Sequence, residues 1–315
     1  MAKTSKQERV FVAGHTGLVG SSVMRRLHGL GYDDVVGRDV AQLDLTDAVA
    51  TRAFFEEMRP SYVVLAAAKV GGIHANNTFP ADFIRINLQI QTNVIDAAHR
   101  TGVKKLLFLG SSCIYPKHAP QPMKEEHLLT GPLEPTNDAY AIAKIAGILM
   151  TQAYNRQHGT NFIAAMPTNL YGPGDNFDLN TSHVLPAMVR KFVEAKDQKK
   201  AEVELWGTGS PRREFLFVDD LADALVFLLE NFDATGERDN FVNVGVGEDI
   251  SIDALAALVR EVVGYEGKIA WNASMPDGTP RKLLDVTRLK SLGWKASTPL
   301  RAGIEKTVEA FRSKK

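Results

Sequence analysis

Residues 9–20, Arg-Val-Phe-Val-Ala-Gly-His-Thr-Gly-Leu-Val-Gly, decide the fold class of this chain. They open with a short, apolar, β-branched run that is typical of a buried parallel strand. Apolar residues at helical spacing follow over 18–30 and predict a helix. Glycines between them permit a tight turn, a close approach of the backbone to a pyrophosphate, and close helix–strand packing. The segment therefore predicts a dinucleotide-binding turn, with contacts from Gly14, Thr16, Gly17, Leu18, Val19 and Gly20.

Strand-like and helix-like segments continue to alternate up to about residue 170. Further strands are predicted at 34–36, 62–68, 105–112 and 161–172, and further helices at 47–58, 81–101 and 138–158. This alternation favours an α/β fold with a doubly wound parallel sheet of the Rossmann type. Ligands of such folds bind at the carboxyl ends of the strands.

A change in the composition of the sequence after Tyr171 indicates a second, smaller α/β lobe. Residues 172–183 are loop-like and rich in Gly, Asn and Asp. Beyond them we predict helices at 184–196, 251–263 and 301–312, strands at 203–206 and 241–245, a strand followed by a helix within 213–231, and a loop at 274–282. We assign residues 1–171 to a dinucleotide-binding domain, to which 213–245 return, and 172–315 mainly to a discontinuous substrate-binding lobe.

Composition excludes several classes of protein. Of the 315 residues, 44% are hydrophobic and 23% are charged, which is ordinary for a globular chain and unlike a collagen-like or disordered one. Lys plus Arg and Asp plus Glu both number 37, so the net charge gives no long-range attraction to nucleic acid or an acidic membrane. The polar residues 1–8 are not followed by an apolar signal core, and the longest apolar runs are far short of the roughly 20 residues that span a bilayer. We expect a cytoplasmic protein without nucleic-acid or membrane partners.

The end of the second predicted strand indicates which dinucleotide is bound. An acidic residue there takes the 2′-hydroxyl of NAD, whereas an arginine suits the 2′-phosphate of NADP. Arg38 and Asp39 offer both chemistries, and because Arg38 comes first the sequence favours NADP(H). The alternative for Arg38 is a solvated surface side chain.

A serine, a tyrosine and a lysine are suited to proton transfer at a carbonyl. Tyr140 and Lys144 lie four residues apart in a helical segment, so the phenol and the ammonium share one face. A nearby ammonium favours the phenolate form of a tyrosine. Ser111 ends the fourth predicted strand, where it can hydrogen-bond the same substrate oxygen. A Tyr-x-x-x-Lys spacing by itself usually marks only a helix surface, and its value here comes from following the glycine turn and the serine-bearing strand.

Together, the glycine turn, Ser111 and the Tyr140–Lys144 pair resemble the extended short-chain dehydrogenase/reductase family. The likeness runs the length of the chain, and later landmarks of the nucleotide-sugar members are matched by residues 212–225, 241–256 and 283–294. The resemblance implies that Tyr140 is the acid/base at the sugar C4 oxygen, which Ser111 shares. It also implies that Lys144 lowers the Tyr140 pKa and holds the nicotinamide ribose.

A narrower resemblance centres on Cys113, the only cysteine of the chain. Six stretches closely resemble the GDP-L-fucose synthase family of GDP-4-keto-6-deoxy-mannose 3,5-epimerase/4-reductases, at residues 66–77, 108–117, 134–147, 166–177, 182–187 and 276–289. The resemblance implies NADP(H) as cofactor, a GDP-sugar as substrate, and Cys113 and His183 as the base and acid of epimerisation. The expected reaction inverts C3 and C5, then reduces C4 to give GDP-L-fucose.

The chemistry of Cys113 and His183 suits these roles. A 4-keto group acidifies the protons on C3 and C5, and inversion needs a base to remove such a proton and an acid to return one from the other face. A thiol is partly ionised near neutral pH, and an imidazole can supply a proton. The enolate oxygen at C4 would face Tyr140 and Ser111.

Both residues also have plainer interpretations. Without the resemblance, Cys113 is a small buried hydrophobe and His183 a polar loop residue. A lone cysteine cannot form an intrachain disulfide or a Cys-rich metal site, and we expect no metal.

Other site residues carried over from the family are candidates for cofactor and substrate contacts. The remaining cofactor contacts are expected from Lys144, Pro167, Asn169, Leu170 and His183. The substrate contacts are expected from Asn169, Arg190, Lys191, Trp206, Arg213 and Lys282. Arg213 and Lys282 are candidates for the pyrophosphate, with the basic pair at 190–191 as alternatives, although each can instead be a solvated charge. Thr16 and Val40 replace two basic positions of the family pattern, which leaves Arg38 as the main candidate for the 2′-phosphate.

The family usually forms a homodimer through two long helices, here 81–101 and 138–158. Both are rich in apolar residues, which core packing explains equally well. One rival function is that of a 4-epimerase or 4,6-dehydratase of another sugar nucleotide with tightly held NAD, which needs no Cys113–His183 pair. A second rival is a non-catalytic dinucleotide-binding module, which would be expected to have lost Tyr140 or Lys144.

Overall fold

The computed structural model describes residues 5–179, 181–237, 239–275 and 277–313 of the chain. Some positions for which the sequence makes predictions lie outside these ranges. They are residues 1–4 of the polar start, Asn180 of the segment 172–183, Arg238 of the returning segment 213–245, Pro276 of the loop 274–282, and residues 314–315 of the substrate lobe.

Strands and helices alternate along the chain much as predicted. The strands are β1 (Val10–Ala13), β2 (Val35–Val36), β3 (Tyr62–Leu65), β4 (Lys105–Leu109), β5 (Phe162–Pro167), β6 (Asn169–Tyr171), β7 (Glu202–Trp206), β8 (Arg212–Arg213), β9 (Phe215–Phe217), β10 (Phe241–Val244), β11 (Ile250–Ser251), β12 (Lys268–Asn272) and β13 (Arg281–Lys282). The α-helices are α1 (Leu18–Gly29), α2 (Ala48–Met58), α3 (Ile73–Thr78), α4 (Pro80–Arg100), α5 (Asp138–His158), α6 (Val184–Asp197), α7 (Val218–Asn231), α8 (Ile252–Val263), α9 (Thr287–Ser291) and α10 (Leu300–Arg312).

A six-stranded parallel sheet forms the centre of the molecule. Its strand order is β10-β5-β4-β3-β1-β2, and every neighbouring pair is parallel. The order reverses between β1 and β3, as in a doubly wound fold. The predicted Rossmann-type α/β fold class is therefore confirmed.

Helices cover both faces of this sheet. Phe11 packs in the core beneath α2, α4 and α5, whereas its neighbours Val10 and Val12 pack in the core beneath α1 and α7. Successive residues of a strand point to opposite faces, so a strand buried on both sides reads as the continuous apolar run seen in the sequence. Because all six strands are parallel, the loops that follow them lie at one edge of the sheet.

A third hydrophobic core lies among α6, α8 and α10. It includes Phe192, Leu255 and Ile304, together with Val203 of β7 and Phe217 of β9. Two small sheets accompany it, one with the order β11-β8-β13 and one that pairs β7 with β12. The division into a dinucleotide-binding domain and a substrate lobe stays a prediction.

The predicted strand 161–172 is wrong in one respect, because the chain forms two strands there. The strand β5 belongs to the central sheet, whereas β6 pairs with β9 in a separate two-stranded sheet. Between them, the N–H of Thr168 donates to the carbonyl of Val244 at 3.1 Å, and its hydroxyl donates to the carbonyl of Glu214 at 3.3 Å. These bonds turn the chain out of the central sheet at the polar pair Thr168 and Asn169.

Two predicted strand ends and five elements also differ. The strands predicted at 62–68 and 105–112 end at Leu65 and Leu109, since the residues after them form the loops of the site. The helices α3 and α9 and the strands β11, β12 and β13 were not predicted, because they are short or only half-buried. The prediction of a loop over 274–282 is wrong at its end, where Arg281 and Lys282 pair with β8. No helix in the described part of the chain combines the length and the apolar character needed to cross a bilayer.

Candidate active site

In the turn between β1 and α1, backbone segments lie so close together that two of the glycines have no room for a side chain. Gly14 has a φ of +83°, and a Cβ there would lie 2.7 Å from the backbone nitrogen of Ala67. A Cβ on Gly20 would lie 2.0 Å from the carbonyl oxygen of Gly14, so α1 packs directly on the end of β1. Gly17 is exposed, and the nearest atom to a Cβ there is 3.4 Å away. The open space beside Gly17 is where a ligand can approach the backbone.

The first turn of α1 offers hydrogen-bond donors to an anion. Gly17 is its N-cap residue, and no side chain of the described residues caps it. The N–H groups of Leu18 and Val19 are among those that an α-helix leaves without an intrahelical partner, and the positive end of the helix dipole lies there. Thr16 is exposed beside them. The turn therefore fits the phosphates of a dinucleotide.

Arg38 and His15 lie together at the end of β2, beside this turn. A Cβ on Gly37 would lie 2.2 Å from the His15 ring, so the imidazole packs on this glycine. His15 Nδ1 is buried and finds no hydrogen-bond partner among the described residues. The Arg38 guanidinium donates to the carbonyl of Gly37 at 2.8 Å and lies 5.7 Å from the ring centroid of Phe54. The carboxylate of Asp39 accepts the backbone N–H of Gln42 at 3.0 Å.

Ser111 follows β4, and Tyr140 and Lys144 lie on the first turns of α5. Lys144 is buried, donates to the carbonyl of Leu109 at 2.8 Å, and lies 5.8 Å from the Tyr140 ring centroid. Burial lowers the pKa of Lys144 to about 7. Burial also raises the pKa of Tyr140, with a smaller contribution from Cys113, and a hydrogen bond with Ser111 opposes the shift. The net direction is opposite to the predicted lowering by Lys144, because burial disfavours the phenolate.

Two nitrogen donors converge on the sulfur of Cys113. Cys113 is half-buried in the 3₁₀ turn Ser112–Ile114, which Ser111 caps by accepting its N–H at 3.3 Å. Asn137 Nδ2 donates to Cys113 Sγ at 3.3 Å, and Lys282 Nζ lies 3.9 Å from the same atom. Both contacts would stabilise negative charge on the sulfur.

Neither contact was predicted at this position. The sequence places Lys282 among the candidates for the pyrophosphate, whereas the structure places its ammonium against the thiol. Asn137 was not singled out, although a polar side chain just before α5 and close to Tyr140 was an available signal. Asn137 Oδ1 is buried and has no partner among the described residues, so it is free to accept from a ligand.

His183 lies where the chain enters α6, and it is the N-cap residue of that helix. The backbone just before it is held by the N–H of Gly72, which donates to the carbonyl of Thr181 at 3.2 Å. Desolvation, the larger cause, and the positive charge of Lys282 lower the pKa of His183. Because Lys282 also contacts Cys113, the predicted base and acid of epimerisation lie around one lysine.

Arg213 and Asn169 lie on strands of two different small sheets, which are linked through Glu214. Arg213 of β8 pairs in register with Lys282 of β13. Burial lowers the pKa of the Arg213 guanidinium, and Asp277 opposes the shift. Asn169 Nδ2 donates to the carbonyl of Glu214 at 2.8 Å. Glu214 was not predicted as a functional residue; the available signal was a charge inside the apolar segment 213–231.

The candidates on α6 and β7 form contacts of their own. Arg190 donates to Glu194 at 2.8 Å and to the carbonyl of Phe177 at 3.1 Å, so protein groups already engage its guanidinium. Lys191 donates to a backbone carbonyl of β7 at 2.9 Å and lies 5.7 Å from the ring centroid of Trp206. Trp206 is 53% exposed, so its ring is free to stack on a planar ligand.

The predicted cofactor contacts Pro167 and Leu170 flank the point where the chain leaves the central sheet. Pro167 is buried at the end of β5, beside Val244 of β10. Leu170 is half-buried and packs against the core beneath α1 and α7. Both therefore lie near the edge of the sheet that carries the glycine turn.

The arrangement brings three proton-transfer groups to one edge of the sheet. They are the phenol of Tyr140, the thiol of Cys113 and the imidazole of His183. Such groups can remove and return protons on carbons beside a carbonyl whose oxygen is held by hydroxyl groups.

Comparisons of sequence and of structure find known proteins that are similar to this chain. Probable GDP-L-fucose synthase 1 from Oryza sativa subsp. japonica is 61% identical to this chain, over 97% of the chain and 92% of its own length. GDP-L-fucose synthase from Escherichia coli (strain K12) is 53% identical over 97% of each chain. Among solved structures, a GDP-mannoheptose C4 reductase from Campylobacter jejuni with NADP bound superposes with a TM-score of 0.90, at 37% identity over 98% of this chain and 99% of its own.

A family model also matches residues 10–245, which run from β1 to just past β10. The matched range contains the glycine turn, Ser111, Cys113, Tyr140 and Lys144. This chain belongs to the NAD dependent epimerase/dehydratase family.

Proposed function

We propose that the protein converts GDP-4-keto-6-deoxy-D-mannose to GDP-L-fucose by epimerisation at C3 and C5 and NADPH-dependent reduction at C4. The observation that carries the proposal is the contact of Lys282 and Asn137 with the sulfur of Cys113, close to Tyr140. A simple 4-epimerase or 4-reductase needs no such sulfur. The relatives named GDP-L-fucose synthase support the same assignment.

In the proposed epimerisation, Cys113 and His183 act from opposite faces of the sugar. The Cys113 sulfur removes a proton from C3 or C5, and Lys282 stabilises its negative charge before transfer. His183 returns a proton, and its lowered pKa makes the imidazolium a readier donor. Ser111 and Tyr140 donate hydrogen bonds to the enolate oxygen at C4.

In the proposed reduction, the same hydroxyl groups hold the C4 oxygen. When bound, NADPH supplies the hydride that C4 accepts. Tyr140 delivers the proton to the C4 oxygen, and Ser111 keeps the phenol and the oxygen in line. Lys144 holds the nicotinamide ribose, and its buried ammonium offsets the charge left on Tyr140.

The glycine turn leaves space for the cofactor because its glycines carry no side chains. This leads to a prediction. Gly17→Ala should fold normally but weaken NADPH binding by about tenfold or more, since the added methyl occupies the space open to the pyrophosphate. Gly20→Ala is the contrasting variant, because its Cβ would overlap the Gly14 carbonyl, and it should lose roughly 1–3 kcal/mol of stability. Urea unfolding and NADPH fluorescence titration measure the two effects. Wild-type NADPH affinity in Gly17→Ala would contradict this placement of the pyrophosphate.

Arg38 and the orphaned Nδ1 of His15 fit a 2′-phosphate, which supports NADP(H) over NAD(H). Arg38→Met should weaken NADPH binding by roughly 10- to 100-fold, because a charge-assisted hydrogen bond is lost. NADH binding should change by less than about twofold, since NADH has no 2′-phosphate. Arg52→Met, an exposed change on α2, is the matched control. Equal losses for the two cofactors would overturn the assignment of Arg38.

The proposed assembly is a cytoplasmic homodimer that pairs through α4 and α5. These two helices pack on each other, and α5 still exposes Ile142 and Leu149 at 44% and 39%. Exposed apolar side chains on one helix face are suited to a subunit interface. Sedimentation of the wild type and of Leu149→Glu tests it, and a wild-type monomer would contradict it.

The proposed function is tested by incubating the protein with GDP-4-keto-6-deoxy-mannose in heavy water, with and without NADPH. We expect deuterium at C3 and C5 without NADPH, and GDP-L-fucose with it. NADPH oxidation without exchange would indicate a plain reductase and contradict the epimerase part. No reaction in either arm would contradict the whole assignment.

A further inference from the structure

Glu214 is a buried carboxylate that the proposed reaction does not use. It lies between β8 and β9 and is 0% exposed. One carboxylate oxygen accepts the N–H groups of Val246 and Gly247, at 2.6 and 2.7 Å, and the other accepts the N–H of Leu284 at 3.0 Å. The first two groups follow β10 of the central sheet, and the third follows β13 of the small sheet. The carboxylate thus ties the two sheets together.

The backbone of Glu214 makes a second set of ties. Its N–H donates to the carbonyl of Lys282 at 3.3 Å. Its carbonyl accepts from Asn169 Nδ2 at 2.8 Å and from the Thr168 hydroxyl at 3.3 Å. Lys282 is the last residue of β13 and Leu284 is the second residue after it. Both are therefore hydrogen-bonded to Glu214.

The position of the carboxylate is closely specified. A Cβ on Gly245 would lie 2.2 Å from Glu214 Oε1, so only glycine leaves room for the side chain there. Burial raises the pKa of Glu214, and the backbone hydrogen bonds oppose this shift. A buried acid is costly to stability, and three charge-assisted bonds of this kind offset part of that cost while fixing geometry.

We propose that Glu214 is a positioning residue that holds Lys282 against the sulfur of Cys113. This inference rests on the proposed function, in which Lys282 stabilises the negative charge on the sulfur. The Lys282 side chain starts from β13, so the backbone of this strand sets the point from which its ammonium reaches to 3.9 Å from the Cys113 sulfur. Loss of the carboxylate removes the hydrogen bond to Leu284, two residues after Lys282, and small displacements of this kind lower catalytic rates steeply.

The test compares Glu214→Gln with a matched control. The glutamine is isosteric, and its oxygen can still accept from Val246 and Gly247, but its amide then faces the N–H of Leu284, donor against donor. Glu125→Gln is the control, because Glu125 also accepts a backbone N–H of β10, from Asn243 at 2.9 Å, and lies outside the proposed machinery.

Cys113 gives a readout that needs no substrate, since it is the only cysteine of the chain. We expect its alkylation by iodoacetamide at neutral pH to slow by roughly threefold or more in Glu214→Gln, because a displaced ammonium no longer lies against the sulfur. Deuterium exchange should fall in kcat by about tenfold or more. NADPH affinity should stay within about twofold of wild type, and Glu125→Gln should behave as wild type in all three measurements.

An unchanged or faster alkylation rate in Glu214→Gln would overturn the inference, as would an equal loss in the control. Should Glu214→Gln fail to fold, Gly245→Ala keeps the carboxylate but displaces it, and the same slowing is expected there. Wild-type alkylation in that variant would also overturn it. Failure of the proposed function would appear separately, as absence of exchange in the wild-type protein, while the alkylation contrast still decides the role of Glu214.

Discussion

Replacing Cys113 with serine is expected to lower deuterium exchange at C3 and C5 by about 10²- to 10⁴-fold, the range for loss of a general base. A serine hydroxyl has nearly the shape of the thiol and can still accept from Asn137, but it does not ionise near neutral pH. NADPH affinity should not change, because the glycine turn lies elsewhere. Mass spectrometry of the sugar nucleotide in heavy water measures the exchange.

Reduction at C4 by the same variant is the internal control for Cys113→Ser. The variant should still reduce a GDP-4-keto sugar that has already been inverted at C3 and C5, since Tyr140 and Ser111 are intact. Exchange at the wild-type rate would show that Cys113 is not the base. Loss of both activities together would indicate a folding defect instead.

Replacing Tyr140 with phenylalanine is expected to lower reduction at C4 by about 10²- to 10⁴-fold. The phenylalanine keeps the edge contact with the Phe83 ring, 6.2 Å between centroids, so the loss is confined to the hydroxyl. Exchange at C3 and C5 should continue at a reduced rate, because Ser111 still donates to the enolate oxygen. Stopped-flow oxidation of NADPH measures the reduction.

Tyr154→Phe is the matched control for this variant. Tyr154 lies on the same helix, and its hydroxyl bonds Asp96 at 3.2 Å, away from the glycine turn. It should reduce the substrate at the wild-type rate. If Tyr140→Phe reduced the substrate at a rate within about threefold of wild type, the phenol would not be the proton donor.

The sequence was sufficient to predict the fold class and most helices, because their signals are local. The glycine turn, the apolar strands and the spacing of residues in α5 each lie within a few residues of one another. The break lies at the polar pair Thr168 and Asn169, which is short and flanked by the apolar Pro167 and Leu170, so the pattern alone does not separate it from a continuous strand. Only the pairing of β6 with β9 shows that the chain changes sheets there.

The candidate site was predictable where a motif carries it and not where distant segments meet. Ser111, Tyr140 and Lys144 follow from spacing and order. The contact between Lys282 and Cys113 joins residues 169 positions apart, and no local pattern encodes it. The direction of the Tyr140 pKa shift also required the structure, because burial depends on the packing of the whole chain.

The change of sheets at Thr168 has a mechanical consequence for a two-step enzyme. One residue, Thr168, separates β5 of the central sheet from the strand that carries Asn169, and its N–H and its hydroxyl are both hydrogen-bonded. A one-residue linker held by two hydrogen bonds allows little relative motion. The central sheet and the strand pair β6–β9 are therefore expected to move as a single body. A sugar could then be inverted twice and reduced without leaving its pocket between steps.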